Sequence, residues 1–474
     1  MSEKTMGETK HKSLQDLLDA TPDLVGYFYN DTRSPHAMAT AGAAPIPPEF
    51  TNWREEQRAW RQSVLLFDQS YHMPETFLRG PDAQKLLADL GINSFANFGP
   101  VRAKQYFCCN HQGYVIGECV LQHLDDGTLE LISGTYVQNW VEYNAMVGGY
   151  DVTLERDAPA AAGRRMYHLQ LEGPHARDVF AEAVEGEMPD IPFFRMAKVR
   201  IAGCDVHVLR HGMAGHLGVE LSGPFAEIGR VRDRLLDIGA AYGIRRSGTK
   251  AQYSALGESG WFGYPMPAVY TDPMLADYRR WLPADSWEGR SQLGGSLVLP
   301  RIEQYYVTPW DLGADRLLKF DHDFVGRAAL EEMAKRTDHR KKVTLVWNAE
   351  DVARIYASLL EPELPYKYME LPKASYSFHQ NDEVRSERGD LIGLSKFVGY
   401  TVNEAKFLSV AIVAPEFATP GTEVVVTWGE PDGGSRKPTV ERHRQTTVRA
   451  TVAPNPYAKA AQQHKNAALS KAAG

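Results

Sequence analysis

The pattern of apolar positions repeats three times in the first half of the chain. In each repeat a short apolar strand ends at a Gly-Pro pair, and apolar residues then recur at intervals of three and four; the pairs are Gly80-Pro81, Gly173-Pro174 and Gly223-Pro224. The apolar residues of the three repeats are Ala83, Leu86, Leu87 and Leu90, then Val179 and Phe180, and finally Ile228, Val231, Leu235 and Ile238. Such spacing is typical of a helix that lies on a sheet, and proline suits the first helical position because it lacks an N–H. With antiparallel hairpins between the repeats, such as 105–110 with 113–121, the pattern predicts ferredoxin-like β-α-β-β-α-β modules.

The pattern changes after Lys341 to short apolar runs separated by turns, among them KKVTLVW, LIGLSKFVGYTV and TEVVVTWGE. Strands at this spacing predict a C-terminal all-β barrel or sandwich. We therefore expect an α+β protein in four parts. The parts are an N-terminal arm and loop at 1–48, a first α/β module at 49–160, a second at 161–340, and a barrel with its tail at 341–474.

Composition narrows the class of protein. The 474 residues are 43% hydrophobic and 24% charged, as in an ordinary soluble globular protein. A net charge of −8 argues against a nucleic-acid or anionic-membrane partner. No apolar run approaches the roughly 20 residues of a membrane span, and the charged N-terminus lacks the apolar core of a signal peptide. The four cysteines show no CxxC spacing. We expect a cytoplasmic monomer or homo-oligomer that binds a small-molecule substrate.

Common catalytic motifs are missing from the chain. There is no HExxH, no Gly-rich dinucleotide loop after a strand and no G-x-S-x-G nucleophile elbow. His207 and His211 have HxxxH spacing, but in a strand four residues span roughly 13 Å and cannot share one ion. We therefore predict no metal site, which leaves group transfer to an organic carrier open.

The stretch at 209–224, LRHGMAGHLGVELSGP, predicts a hairpin whose second strand carries one carboxylate, Glu220, between Val219 and Leu221. Alternation sends Glu220 to the face opposite its two apolar neighbours. Gly212, Gly215 and Gly218 allow the chain to turn tightly between the strands. On these residues alone a solvated Glu beside a tight turn is the simpler interpretation.

Longer motifs add a resemblance to a family. NWREEQRAWR, LFDQSYHM, RHGMAG, ESGW, KFDHDF and RIYASL, with AKQY and the GGS at Gly294, resemble the tetrahydrofolate-dependent aryl-ether O-demethylases of the glycine-cleavage T-protein superfamily. Those enzymes act on vanillate, 3-O-methylgallate and syringate. The resemblance covers nearly the whole chain. It implies a cloverleaf of two α/β modules and a C-terminal antiparallel β-barrel around a central folate site.

The same resemblance implies an activity and its residues. We expect transfer of a methyl group from a methoxylated, lignin-type aromatic to tetrahydrofolate. The residues whose positions match the folate site are Gln170, Phe193, Glu220 and Trp261, and those that match the aromatic substrate site are Tyr27, Tyr29, Gln69 and His72. A purely structural role is the alternative for two of these residues, since phenylalanine and tryptophan, as at Phe193 and Trp261, are also typical core residues. Gln170 is unusual even without the family resemblance, because an amide between Leu169 and Leu171 needs buried hydrogen-bond partners.

Two departures from the family pattern bear on the substrate and the acid. Thr135 stands where the vanillate-type enzymes carry an arginine, and a neutral hydroxyl cannot replace a charge-assisted bond to a benzoate carboxylate. Either the substrate carries no carboxylate at that edge, or a cation such as Arg33 or His36 of the loop at 30–48 binds it. Gln252 stands at the position of the family's tyrosine, with Tyr253 one place later, about 100° further around a helix. Either Tyr253 reaches the site as the proton donor, or that role has passed to His72 or Tyr29.

Other functions remain open from the sequence. One group consists of N- or S-methyl transfer, or aminomethyl transfer, to tetrahydrofolate. A second is a folate-binding protein without catalysis, although the K-G-C-Y-x-G-Q-E motif of the iron–sulfur assembly relatives is absent.

Overall fold

A computed structural model of the chain describes residues 11–30, 46–71, 73–157, 163–216, 218–434 and 440–463, with the backbone alone at Asn30. Three bodies of structure are present: two antiparallel-rich sheets flanked by helices, and a closed barrel at the C-terminal end. Among the described residues no helix is long and apolar enough to cross a membrane.

The strands are β1 (Leu65–Asp68), β2 (Glu75–Arg79), β3 (Arg102–Cys109), β4 (Val115–His123), β5 (Leu129–Ile132), β6 (Thr153–Asp157), β7 (Met166–Glu172), β8 (Met196–Ile201), β9 (Cys204–Leu209), β10 (Gly218–Pro224), β11 (Arg245–Arg246), β12 (Leu293–Gly294), β13 (Lys341–Trp347), β14 (His379–Gln380), β15 (Asp382–Arg385), β16 (Leu391–Thr401), β17 (Lys406–Val413), β18 (Glu423–Trp428) and β19 (Thr446–Ala453). The α-helices are α1 (Leu14–Asp19), α2 (Leu24–Asn30), α3 (Trp53–Gln62), α4 (Ala83–Leu90), α5 (Thr135–Val147), α6 (Ala176–Ala183), α7 (Ile228–Gly239), α8 (Thr249–Ser254), α9 (Leu256–Ser259), α10 (Ala276–Trp281), α11 (Arg327–Met333) and α12 (Ala349–Ala357).

The first sheet has the strand order β3-β4-β5-β2-β6 and contains the predicted hairpin, now β3 and β4. Its helix α4 buries Ala83, Leu86, Leu87 and Leu90 against the core, as the helical spacing predicted. The helix begins two residues after Pro81, however, so the proline lies in the turn before the helix and not at its first position. The same holds for Pro174, because α6 begins at Ala176.

The second sheet has the order β11-β1-β7-β10-β9-β8, and β10 is hydrogen-bonded on both sides. Val231 and Leu235 of α7 are buried in the core of this module, together with Val179 and Phe180 of α6. Strand β1 belongs to this sheet although it precedes the boundary expected at 160. The four-part division of the chain stays a prediction, and β1 shows that the sheets are not built from consecutive segments alone.

The third body is the closed barrel β13-β17-β16-β15-β18-β19, whose neighbouring strands are antiparallel. Its interior is filled by aliphatic residues with Trp347 and Trp428. The C-terminal region is therefore a barrel and not a sandwich. A short parallel ribbon of β12 and β14 joins the segment before the barrel to the segment that leads into β15.

Candidate active site

Glu220 lies in the centre of the second sheet, on the face opposite Leu221. Leu221 is fully buried in the apolar core, as strand alternation requires. Glu220 is only 6% exposed, so the simpler interpretation of a solvated carboxylate is wrong. His168 Nδ1 lies 2.8 Å from its Oε1, and His211 Nε2 lies 2.8 Å from its Oε2. Burial opposes ionisation, but the hydrogen bonds from the two histidines outweigh it and hold the pKa of Glu220 well below its ordinary value.

Two predicted amides lie beside this carboxylate. Gln170 on β7 is the cross-strand partner of Glu220 on β10, which places the two side chains on one face. Gln170 is fully buried, accepts a hydrogen bond from the Gln69 amide and donates to the carbonyl of His211 over 3.1 Å. The structure therefore brings together Gln69, Gln170 and Glu220.

The loop between β9 and β10 is held by a second carboxylate. Glu172 accepts the backbone N–H of Ala214 over 3.0 Å and that of His216 over 2.8 Å. Gly215 has φ +81°, and a Cβ there would lie 2.7 Å from the Ala461 Cβ. Glycine is needed at this position for both reasons.

Glu258 of α9 fixes the other side of the same loop. It is fully buried and lies 3.7 Å from the His216 Nε2. It also accepts hydrogen bonds from Trp60 of α3 over 3.1 Å and from Thr401 and Asn403 at the end of β16. One carboxylate thus ties the glycine-rich loop to a helix of the N-terminal half and to the barrel.

Trp261 follows α9 and belongs to an aromatic group. Its indole N–H donates to Glu118 of β4, which also accepts from Gln105 of β3. Its ring centroid lies 6.0 Å from that of Tyr264. Burial raises the pKa of Glu118 above its ordinary value, although the two neutral donors partly oppose the shift.

Phe193 is not a core residue, because 43% of it is exposed. Its ring lies 5.8 Å from that of Phe194, which in turn lies 5.9 Å from the ring of His211. An accessible aromatic ring is therefore linked to Glu220 by three successive contacts, through Phe194 and His211.

Tyr253 and Gln252 lie next to each other on α8. Tyr253 packs with Trp261 and Tyr264 around Leu256 and Phe397, and burial raises its pKa to about 12. Gln252 is 4% exposed, and its Nε2 has no hydrogen-bond partner among the described residues. Tyr253 thus lies in the aromatic group of Trp261. Which of the two residues meets the substrate stays a prediction.

Thr135 is the first residue of α5, directly after Gly134. A Cβ at Gly134 would lie 3.4 Å from the Tyr264 ring, so the start of the helix lies against the aromatic group. The Thr135 hydroxyl is buried and has no hydrogen-bond partner among the described residues. The next residue, Tyr136, bonds the His379 Nε2 over 3.2 Å.

Tyr27 and Tyr29 lie on α2, which contacts the ribbon formed by β12 and β14. Tyr29 is buried and donates its hydroxyl to the carbonyl of Gly295, directly after β12. Burial, and then the charge of Glu430, raise the pKa of Tyr29 well above its ordinary value. Tyr27 is partly buried, with its ring 5.6 Å from that of Phe28.

The ribbon leads from Tyr29 to the aromatic group, since Phe378, next to β14, packs 5.8 Å from the Tyr264 ring. His72 lies outside the described residues, as do Arg33 and His36 of the N-terminal loop.

Sequence reasoning missed several polar residues at this site: His168, Glu118, Lys373 and Lys396. Lys396 donates to the carbonyls of Gly263 and Tyr264, and its Nζ lies 4.7 Å from the Phe397 ring centroid. Burial lowers the pKa of Lys373 to about 7. A lone charged residue within an apolar strand, the signal that marked Glu220, is also present at Glu118 and Lys396.

The architecture matches a known fold. The aminomethyltransferase T of the glycine cleavage system from Bartonella henselae superimposes with a TM-score of 0.60, covering 92% of this chain and 96% of that chain at 16% identity. This match confirms the predicted fold class, a T-protein-like α+β cloverleaf with a C-terminal barrel.

Sequence relatives define the class more narrowly. Residues 29–266 match the family model of the GCVT N-terminal domain. The chain is 43% identical over 94% of its length to a syringate O-demethylase from Sphingobium sp. strain NBRC 103272 / SYK-6, of which it covers 96%. A sesamin methylene transferase from Sinomonas sp. strain No.22 is 29% identical, with 87% of this chain and 90% of that protein aligned. The chain therefore belongs to the GCVT aminomethyltransferase family and, within it, to the tetrahydrofolate-dependent aryl-ether O-demethylases, as the motifs predicted.

The residues present fit a pterin. Its amino and amide N–H groups need acceptors along one edge, and a carboxylate offers about four lone-pair sites. The histidines use one site on each oxygen of Glu220, so further sites remain, and the buried Gln170 adds an amide beside them.

Proposed function

We propose that the protein transfers a methyl group from a methoxylated, lignin-type aromatic to tetrahydrofolate, giving the phenol and methyl-tetrahydrofolate. The observation that carries the proposal is the 43% identity to a syringate O-demethylase across 94% of the chain. The absence of ligand spacings in the sequence supports a reaction without a metal. Four buried, unpaired cysteines support a reducing, cytoplasmic location.

Glu220 and Gln170 would hold the donor edge of the pterin, with Phe193 and Trp261 as aromatic walls. Tetrahydrofolate supplies the nitrogen that accepts the methyl group. The protein must hold the methyl carbon in line between that nitrogen and the ether oxygen, and alignment of this kind accounts for much of the barrier lowering in such reactions. Gln69 touches Gln170, so the predicted substrate and cofactor residues meet at this pair.

Breaking the ether expels a phenolate, which needs a proton or hydrogen-bond donor at its oxygen. Overall, the phenolate gains one proton and tetrahydrofolate loses one in exchange for the methyl group. Tyr253 is the favoured donor, because it lies in the aromatic group of Trp261 and its pKa of about 12 keeps the hydroxyl protonated at neutral pH. Tyr29 lies on α2, outside that aromatic group, and donates its hydroxyl to the Gly295 carbonyl.

The choice of aromatic is set in part by Thr135. Its neutral hydroxyl offers a weaker bond to a carboxylate than a cation would, roughly half as strong. We therefore expect guaiacol-like and aldehyde substrates to react at least as well as vanillate or syringate. The alternative is that a cation elsewhere meets the carboxylate, such as Arg33 or His36 of the N-terminal loop.

The test is a substrate panel with the purified protein. Syringate, vanillate, syringaldehyde and guaiacol are each incubated with tetrahydrofolate, and both the phenol and methyl-tetrahydrofolate are quantified. We expect equal amounts of the two products, no reaction without tetrahydrofolate, and no loss of activity with a chelator or without oxygen. A methylenedioxy aromatic is included because one relative is a sesamin methylene transferase. Turnover of that compound alone, or formation of phenol without methyl-tetrahydrofolate, would contradict the proposal.

A further inference from the structure

His168 joins the Glu220 network to two more buried carboxylates. Only 2% of its side chain is exposed. Its Nδ1 lies 2.8 Å from Glu220, whereas its Nε2 lies 3.4 Å from Glu75 of β2 and 3.6 Å from Glu130 of β5. Both ring nitrogens therefore face carboxylate oxygens. The Nε2 contacts are ion-pair distances without hydrogen-bond geometry, and negative charge on both sides of the ring favours the imidazolium form.

The charges around the ring favour a second cation. Glu75 accepts a hydrogen bond from Arg164, whose Nε lies 3.9 Å from Asp157. Neither oxygen of the fully buried Glu130 has a hydrogen-bond partner among the described residues. Burial raises the pKa of Glu75, which shows that negative charge is costly here, so a second positive charge beside the Arg164 guanidinium is favourable.

A protonated His168 supplies the missing charge. Burial alone lowers the pKa of His168, but Glu75, Glu130 and Glu220 outweigh burial and raise it well above its ordinary value. The further contacts of the network are the pair between His211 and Glu220, and the Ser70 hydroxyl, which accepts the backbone N–H of His168.

We propose that His168 is a positioning residue for Glu220: as an imidazolium clamped by Glu75 and Glu130, it keeps the Glu220 carboxylate ionised and turned toward the pterin. The inference rests on the proposed function, which places Glu220 on the pterin edge. Glu75 and Glu130 prevent the ring from turning, since a flip would give up their contacts with Nε2. His211 holds the second oxygen of Glu220, so the carboxylate is fixed at both atoms.

A divalent cation is the competing occupant of this cluster. Ligand atoms of Glu75, Glu130 and His168 lie within 4.8 Å of one another. An ion there would need the lone pair of His168 Nε2. Arg164 already brings positive charge to Glu75, however, and this favours a proton over a metal.

The first experiment measures the protonation of His168 in the intact protein. Nitrogen-15 NMR of the histidine rings, assigned with a His168→Asn variant, should show both nitrogens of His168 protonated between pH 6 and pH 8, where an ordinary histidine loses its proton. Metal analysis of the same sample should find no stoichiometric divalent ion. A neutral ring, or one bound ion per chain that is lost in Glu130→Gln, would overturn the proposal.

The second experiment measures tetrahydrofolate binding by titration calorimetry across the same pH range. His168→Gln should weaken binding about tenfold or more, because it removes the charge-assisted bond to Glu220. His168→Asn keeps a neutral donor near the Nδ1 position and should recover part of this loss. His207→Asn is the matched control, since His207 contacts Asp125 at the surface of β9, the strand next to β10 in the same sheet. The double variant His168→Gln/Glu220→Gln should bind tetrahydrofolate only slightly more weakly than either single variant.

The outcomes separate this proposal from the proposed function. If Glu220→Gln weakens binding while His168→Gln does not, the positioning role is wrong and the pterin assignment stands. If Glu220→Gln itself binds tetrahydrofolate as wild type does, the assignment of Glu220 to the pterin is wrong. Should His168→Gln fail to fold, the protonation measured in wild type and the tetrahydrofolate binding of His168→Asn still decide.

Discussion

Glu220 and Glu118 are two lone carboxylates in apolar strands, and the fold shifts their pKa values in opposite directions. Glu220 receives hydrogen bonds from two histidines, and its pKa falls well below the ordinary value. Glu118 receives hydrogen bonds from an indole and an amide, which are neutral donors, and burial raises its pKa. The hydrogen-bond partners of a buried carboxylate therefore decide the direction of its pKa shift, and burial alone does not.

The difference divides the site into two halves. The half around Glu220 is charged, which suits a pterin rich in N–H donors. The half around Glu118 is aromatic: Tyr253 and Tyr264 suit an aryl ether, beside Trp261, the proposed wall of the pterin. Burial also raises the pKa of Tyr253, so its hydroxyl keeps its proton until the phenolate leaves.

The largest effect should come from Tyr253 in the aromatic half. Tyr253→Phe removes the favoured proton donor, and kcat should fall about 100-fold or more because proton transfer to a leaving group contributes that much. Initial rates at saturating substrate and tetrahydrofolate measure it. Tyr29→Phe is the matched control and should cost less. If Tyr29→Phe has the larger effect, the acid lies on α2 and the division into halves is wrong.

The next effect distinguishes the two carboxylates directly. Glu220→Gln should weaken tetrahydrofolate binding about tenfold or more, since a hydrogen bond to a charged group contributes on the order of 1.5–3 kcal/mol. Glu118→Gln is the same substitution in the aromatic half and should change binding only a fewfold. Titration calorimetry measures both constants. If Glu220→Gln and Glu118→Gln lose equal affinity for tetrahydrofolate, the two carboxylates do not differ in their role.

Substrate preference should respond to charge placed in the aromatic half. Thr135→Arg should raise kcat/KM for vanillate and syringate severalfold relative to guaiacol, because an arginine can bind the carboxylate with two hydrogen bonds. Competition between the paired substrates measures the ratio. If wild type already prefers the benzoates strongly and Thr135→Arg brings no gain, another cation binds the carboxylate.

The smallest effect is a titration. As the pH falls through the raised pKa of Glu118, its carboxylate gains a proton and its bond with the Trp261 N–H weakens. Trp261 fluorescence should therefore change above the ordinary carboxyl pKa of about 4.3 and should not change in Glu118→Gln. Glu220 should show no titration in this window, because its pKa is lowered. Because the Glu118 pKa is raised on folding, its contribution to the free energy of unfolding falls as the pH rises from about 4.3 through the raised pKa. Because the Glu220 pKa is lowered on folding, its stabilising contribution is complete above about pH 4.3 and is lost as the pH falls below that value.

Local pattern predicted much of the fold because apolar spacing reports which face of an element is buried. The four apolar residues of α4 and the hairpin of β3 and β4 are where the pattern places them. The place of β1 was not predictable in this way. LLFD is equally apolar in either sheet, and its pairing with β7 depends on residues 100 positions later.

The site was predictable where a residue is unusual in its own strand. Gln170 and Glu220 are polar residues in apolar runs, and they are paired across β7 and β10. The charge of Glu220 was not predictable, because it comes from His168 and His211, which look like ordinary strand and loop residues in sequence. Phe193 was misjudged by burial tendency alone, since its exposure depends on the loop that carries it.

The contacts of Glu258 have a consequence for protein engineering. Its carboxylate joins α3, the glycine-rich loop and the end of β16, so segments some 340 residues apart meet at one side chain. Chimeras that exchange the barrel between related enzymes would have to carry matching versions of all three segments. Swapping barrels to change substrate range would otherwise disturb the loop that precedes Glu220, so a useful crossover point should keep Trp60, His216, Glu258 and Thr401 from the same parent.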